Sequence, residues 1–193
     1  MTTLPSERTP ETLAADIARE LETRELDYAL SGALAYGFWG VPRATRDVDI
    51  ALYVDATRVE DVADAVEAAG VGVDRPALAQ SFEEGRAHYA WCGSIRVDLF
   101  PPSIPFESEA AKTRVRVPFR HGEAWVVSAE ALCVFKLLFF RPKDLVDVSN
   151  VIALQDAKLD RTYVRRWLVE MMGEDDERVW KWDELVRDYS MDP

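Results

Sequence analysis

Three carboxylates interrupt stretches that are otherwise apolar: Asp47 and Asp49 in Thr45-Arg46-Asp47-Val48-Asp49-Ile50, and Asp98 in Val97-Asp98-Leu99. The flanking residues, Ile50-Ala51-Leu52 in particular, read as buried strands. Residues two apart on a strand share a face, so Asp47 and Asp49 point together while Val48 and Ile50 face the core. Carboxylates crowded on one sheet face repel one another and lose hydration. A divalent cation bound by oxygen ligands relieves both penalties, so the pattern points to a Mg²⁺ site.

The elements that must hold these carboxylates can be read from periodicity. Glu11 to Leu26 has Leu13, Ile17 and Leu21 at helical spacing. Tyr28-Ala29-Leu30 is a short apolar segment leading into Ser31-Gly32, and Ala33 to Trp39 reads as a helix with Ser31 as N-cap. Asp47 to Val54 is the strongest strand pattern, followed by a helix over Thr57 to Ala69 that Gly70 closes. Ala77 to Glu84 fits neither period well. Two hairpins are expected, Ala87–Cys92 with Ser94–Phe100 about Gly93, and Val115–Phe119 with Ala124–Val127 about His121-Gly122. Phe106 to Lys112 reads as a short helix, and Ser128 caps another running to about Phe140. Helices over Pro142–Leu154, Arg161–Met172 and Asp176–Tyr189 complete the chain. The expected fold is α/β (α+β), with a mixed, mostly antiparallel sheet flanked by helices. Its parts are a disordered tail over residues 1–10, an α/β core over 11–127 and a helical C-terminal region over 128–193 packed on that core.

A chain of 193 residues, 48% apolar and 30% charged, suits one substantial core. No apolar run is long enough for a membrane span, and the N-terminus lacks a signal-peptide core. Cys92 and Cys133 form no zinc or disulfide spacing and read as small apolar residues, which suits a cytoplasmic protein. A net charge of −12 argues against broad nucleic-acid coating, while Arg114, Arg116, Arg120 and His121 form a local basic cluster. Trp125, Trp167, Trp180 and Trp182 read as core or helix-packing residues.

Ser31-Gly32 lies at a turn before a helix, fifteen positions ahead of the paired aspartates. Glycine lets backbone N–H groups approach phosphate oxygens, and the helix N-terminus favours negative charge. The carboxylates would then hold two divalent ions, one activating a hydroxyl and one steadying a pyrophosphate leaving group.

These motifs carry a resemblance. Ser31-Gly32-Ala33-Leu34-Ala35 and Pro42-Arg43-Ala44-Thr45-Arg46-Asp47-Val48-Asp49-Ile50 resemble the glycine motif and paired-aspartate strand of the nucleotidyltransferase superfamily. Val97-Asp98-Leu99 is similar to its third carboxylate strand. Ser128 to Asp147, with Lys136 and then Arg141-Pro142-Lys143-Asp144, resembles the AbiEii/AbiGii-type toxin branch. Two departures stand out: Ser-Gly replaces the usual Gly-Gly or Gly-Ser, and the chain is short for the toxin branch.

The resemblance implies Mg²⁺-dependent transfer of a nucleoside monophosphate from an NTP, such as ATP, to a hydroxyl. An RNA (tRNA) end is the implied acceptor, with an antitoxin protein as partner. Asp47 and Asp49 would bind metal, and Asp98 would be a further ligand or the base. Ser31 and Gly32 would meet the triphosphate, and Lys136 and Lys143 would neutralise it. Asp144 would orient a lysine or the nucleotide, or only cap its helix. Thr45 reads as a nucleotide contact or a turn residue. Arg43 and Arg46 read as surface residues or as contacts to phosphate or acceptor. Asp147 is expected to pair with Lys143 one helical turn away. A protein or small-molecule acceptor, or a regulatory module without catalysis, are the rival readings.

Overall fold

The computed structural model describes residues 8–190. The expected disordered tail lies, over residues 1–7, outside the described residues. The first helix, α1 (Pro10–Thr23), starts within the expected tail because Thr9 caps it, forming a reciprocal hydrogen-bonded box with Thr12. Its buried stripe is Leu13, Ile17 and Leu21, as the spacing predicts.

β1 (Tyr28–Leu30) follows, then α2 (Gly32–Trp39) and β2 (Asp47–Leu52). A single 3₁₀ turn leads into α3 (Val59–Ala68), and the ambiguous segment becomes α4 (Arg75–Glu84). Asp74 caps α4 by accepting from the Ala77 N–H at 3.1 Å, and Gly85 ends it in the left-handed region at φ 59°. Its buried stripe is only Leu78 and Phe82, too short for periodicity to declare. The hairpin of β3 (His88–Cys92) and β4 (Ile95–Phe100) turns at Gly93. Next come α5 (Phe106–Thr113), β5 (Val115–Phe119) and β6 (Gly122–Val126). The C-terminal helices are α6 (Ala129–Phe139), α7 (Pro142–Gln155), α8 (Arg161–Met172) and α9 (Glu177–Ser190).

The six described strands form one mixed sheet in the order β3-β4-β2-β1-β6-β5. Antiparallel pairs join β3 to β4, β2 to β1 and β6 to β5; β4–β2 and β1–β6 are parallel. The α/β fold class therefore stands as expected. The parallel β2–β4 pair matters most for the site, because its register sets Asp47 opposite Arg96 and Asp49 opposite Asp98.

Val48, Ile50, Val97 and Leu99 are fully buried on the other face of those strands. The core continues into the C-terminal helices through Leu132, Val148, Ile152, Leu168 and Trp182. Side-chain bonds tie α7 to α2: Asn150 donates to the Tyr36 hydroxyl at 3.0 Å, and Gln155 to the Trp39 carbonyl at 2.8 Å. Trp182 fills the α9 contact, whereas Trp180 is 60% exposed and does not pack as expected. The two are adjacent-but-one on a helix and so face different ways. Among the described residues, no helix is long and apolar enough to cross a membrane.

If α9 belongs to the same core, Trp182→Ala should cost roughly 3–5 kcal/mol in urea denaturation. A variant as stable as the parent would show that α9 is an appendage with its own packing.

Candidate active site

Alternation along β2 and β4 places Asp47, Asp49, Arg96 and Asp98 on one sheet face as a two-by-two grid. They form one wall of a cavity of about 560 Å³. The opposite wall comes from α6 and the start of α7, with Phe135, Lys136, Arg141, Lys143 and Asp144. Ser31, Gly32, Arg43 and Thr45 close one end, and Phe100, Ile104 and Glu107 the other.

Gly32 opens α2 at φ +55°, and a Cβ there would lie 1.9 Å from Asp49 Oδ2. Only glycine supplies both the backbone angle and the space. The start of α2 and the Asp49 carboxylate are thus pressed together. The Ser31 N–H donates to the Asp49 carbonyl at 2.9 Å, fixing the turn onto β2. Ser31 is the N-cap residue, but its hydroxyl makes no capping bond and stays available to the cavity.

Asp49 lies beside two other acids, and among the described residues its carboxylate makes no hydrogen bond. Burial, and then the charges of Asp98 and Asp47, push its carboxyl up to about 6 against the pull of Arg96 and Lys136. Burial also raises the buried Asp98, although Arg96 holds it with a fork of two bonds, Nε to Oδ1 at 2.7 Å and Nη2 to Oδ2 at 3.0 Å. Arg96 Nη2 also stands 3.3 Å from Asp47 Oδ2.

The basic wall differs from expectation. Lys136 is buried and committed to Asp147 at 2.6 Å, with Asp144 at 3.6 Å and the Tyr36 ring 5.3 Å away. A buried ammonium needs such partners, and Lys136 finds them in these two acids. Asp147 pairs with Lys136 and with Arg43 at 3.2 Å, not with Lys143. Asp144 does meet a lysine, Lys136, but its closest partner is Arg141 at 2.5 Å, and it also accepts from the Arg141 N–H at the start of α7.

Lys143 is exposed on the cavity wall, without an ion pair among the described residues. The Thr45 hydroxyl lines the cavity but bonds to the Asp47 backbone, accepting from its N–H and donating to its carbonyl, both at 3.1 Å. Arg46 is exposed and outside the cavity lining, as expected for the neighbour of an inward-facing residue. Sequence reasoning passed over Arg96, although it sits two before Asp98 and must share its face. It also passed over Glu107, whose carboxylate is pushed up by burial while accepting from the Ser103 and Ile104 N–H groups.

Among the described residues, no three side chains of metal-ligating kind already converge on one point. The donor chemistry nonetheless suits Mg²⁺, which takes one or two carboxylates and completes its shell with water and substrate phosphates. Asp49, raised by burial and neighbouring acids with no hydrogen bond in compensation, is the group a cation would relieve.

Among solved structures, the chain is similar to the antibiotic-resistance factor ANT(2'')-Ia in solution, at 15% identity and TM-score 0.55 over 93% of this chain and 90% of that one. It is also similar to crystalline ANT(2'')-Ia in complex with adenylyl-2''-tobramycin, at 14% identity and TM-score 0.59 over 83% and 98%. The fold is nucleotidyltransferase-like. The lincomycin-bound lincosamide antibiotic adenylyltransferase LnuA gives 18% identity and TM-score 0.50 over 75% of this chain and 97% of that one. No protein-family model and no curated protein matches the chain.

The raised Asp49 has a thermodynamic consequence. The folded protein holds this proton to about pH 6, against an ordinary value of 3.8. The resulting stability is fully present below about pH 4 and is lost as pH rises through about 6. In chelator near pH 7.5, Asp49→Asn should therefore gain up to ~3 kcal/mol over the parent, with the gain vanishing toward pH 4. An Asn variant no more stable than the parent at pH 7.5 would contradict this electrostatic reading.

Proposed function

We propose that the chain transfers a nucleoside monophosphate from an NTP to a hydroxyl acceptor, with Mg²⁺ held by Asp47 and Asp49. The observation that carries this reading is the contact between Gly32, at the start of α2, and Asp49 on the central strand. It brings an anion-favouring helix end and a cation-demanding carboxylate to one point, as a metal–triphosphate complex requires. Bound Mg²⁺, as two ions, would supply charge neutralisation to the phosphates and lower the pKa of the attacking hydroxyl.

The remaining roles belong to the chain. Ser31 and the N–H groups opening α2 hold the triphosphate. Lys143 and Arg141 meet its negative charge from the opposite wall. Asp98 serves as a further metal ligand or takes the proton of the acceptor hydroxyl. The acceptor oxygen forms a bond to the α-phosphorus as the bond to pyrophosphate breaks. Lys136 acts as a positioning residue, holding Asp147 and Asp144, which in turn hold Arg43 and Arg141 at the cavity.

A small-molecule hydroxyl is the acceptor best supported. Beside the grid the cavity presents Phe100, Phe135, Phe139 and Ile104, an apolar wall suited to a compact ligand. The basic cluster available for RNA is largely engaged by acids: Arg114 with Asp27, Arg116 with Glu22 and Glu123, Arg120 with Glu11. The similar ANT(2'')-Ia and LnuA structures hold adenylyl-2''-tobramycin and lincomycin. An RNA end, with an antitoxin partner, is the second reading; Lys143, exposed on the cavity wall, favours it.

The test supplies each labelled NTP with Mg²⁺ to pools of hydroxyl-bearing small molecules, tRNA and protein. Mg²⁺-dependent label should appear on a small molecule, and Asp49→Asn should lower it at least ~100-fold. Full activity in that variant would sink the metal assignment. Label on tRNA alone would overturn the small-molecule acceptor in favour of RNA.

A further inference from the structure

Among the described residues Arg96 is the one cation inside the carboxylate grid, and the reaction proposed above gives it no role. Its guanidinium forks onto Asp98 and reaches Asp47, so it bridges two of the three acids. A divalent cation shared by these acids would compete with it for the same oxygens. The fork already takes one bond on each Asp98 oxygen, so a divalent cation must share or displace it.

The Arg96 side chain is 39% exposed, while Asp98 beneath it is only 6% exposed. The guanidinium lines the cavity together with the three acids. It lies 5.6 Å from the ring centre of Tyr89, on the neighbouring strand β3, and Tyr89 is itself 58% exposed. The Tyr89 ring flanks the guanidinium in its paired position and also lines the cavity, so it can keep hold of Arg96 when the fork opens. The other nearby ammonium, Lys136, is held by Asp147 and Asp144 and does not substitute.

We infer that Arg96 is a displaceable internal counter-ion: it neutralises Asp98 and Asp47 until a divalent cation takes them, and is then released into the cavity to meet nucleotide phosphate. The inference rests on the reading that these aspartates receive Mg²⁺. In the free protein Arg96 holds two of the acids that would receive the cation. Breaking the fork opposes cation binding in the free protein. A phosphate that accepts the freed guanidinium repays that cost, so cation and nucleotide assist each other.

The test is Mn²⁺ titration followed by electron paramagnetic resonance, without nucleotide and then with a non-hydrolysable NTP. Arg96→Gln should bind Mn²⁺ about tenfold tighter than the parent without nucleotide. The improvement in Mn²⁺ affinity on adding the NTP should also be smaller in the variant. Arg96→Lys, which keeps the charge but loses the fork, should fall between them and serves if the Gln variant does not fold. Equal or weaker Mn²⁺ binding in both variants would overturn the inference while leaving the metal site intact. Absence of Mn²⁺ binding by the parent and both variants would overturn the Mg²⁺ reading and the inference with it.

Discussion

Everything at the cavity depends on one constraint: the in-register parallel pairing of β2 and β4. That pairing sets two acids of one strand beside an arginine and an acid of the next, all on one face. A sheet face so charged is unfavourable unless something answers it. Arg96 answers part of the charge, and the remainder concentrates on Asp49. The sheet also fixes what faces Asp49, because the Ser31 N–H binds the Asp49 carbonyl and brings the start of α2 against its carboxylate. The strain of the carboxylate grid and the opening of the helix are one feature.

The opposite wall is built on a different logic. Lys136, Asp144 and Asp147 form a buried ionic cluster, and Arg43 and Arg141 hang from its edges. Burying such charges costs several kcal/mol per ion unless each is fully paired. Here the pairing extends outward to arginines that line the cavity, so the cluster aims positive groups while keeping its own charges satisfied. Lys136 and Arg43 lie 5.3 and 5.8 Å from the Tyr36 ring centre, and Asn150 holds the Tyr36 hydroxyl. The helical C-terminal region thereby contributes directly to the wall facing the aspartates.

Much of this was legible in the residues alone. Asp47 and Asp49 declare themselves because strict alternation with Val48 and Ile50 leaves one orientation. Gly32 declares itself by its place before a helix, although the contact with Asp49 that makes it indispensable is tertiary. The partners of Lys136 were not legible. Helical spacing suggested Lys143 for Asp147, whereas the fold brings in Arg43 from 104 positions away. A pairing between the segment that follows α2 and a residue of α7 has no local signal. Arg96 was legible by the same two-residue rule that found the aspartates, but a search for acids overlooks the base between them. α4 was missed because Leu78 and Phe82 alone define its buried stripe.

The central claim is that the opening of α2 and the carboxylate grid receive one metal–triphosphate complex. Crystals grown with Mg²⁺ and a non-hydrolysable NTP test it most directly. The account predicts metal density against Asp47 and Asp49, with the triphosphate along Ser31 and Gly32 and Arg96 turned away from Asp98. A nucleotide bound elsewhere, or phosphates seated on Lys136 with the aspartates still closed over Arg96, would contradict it.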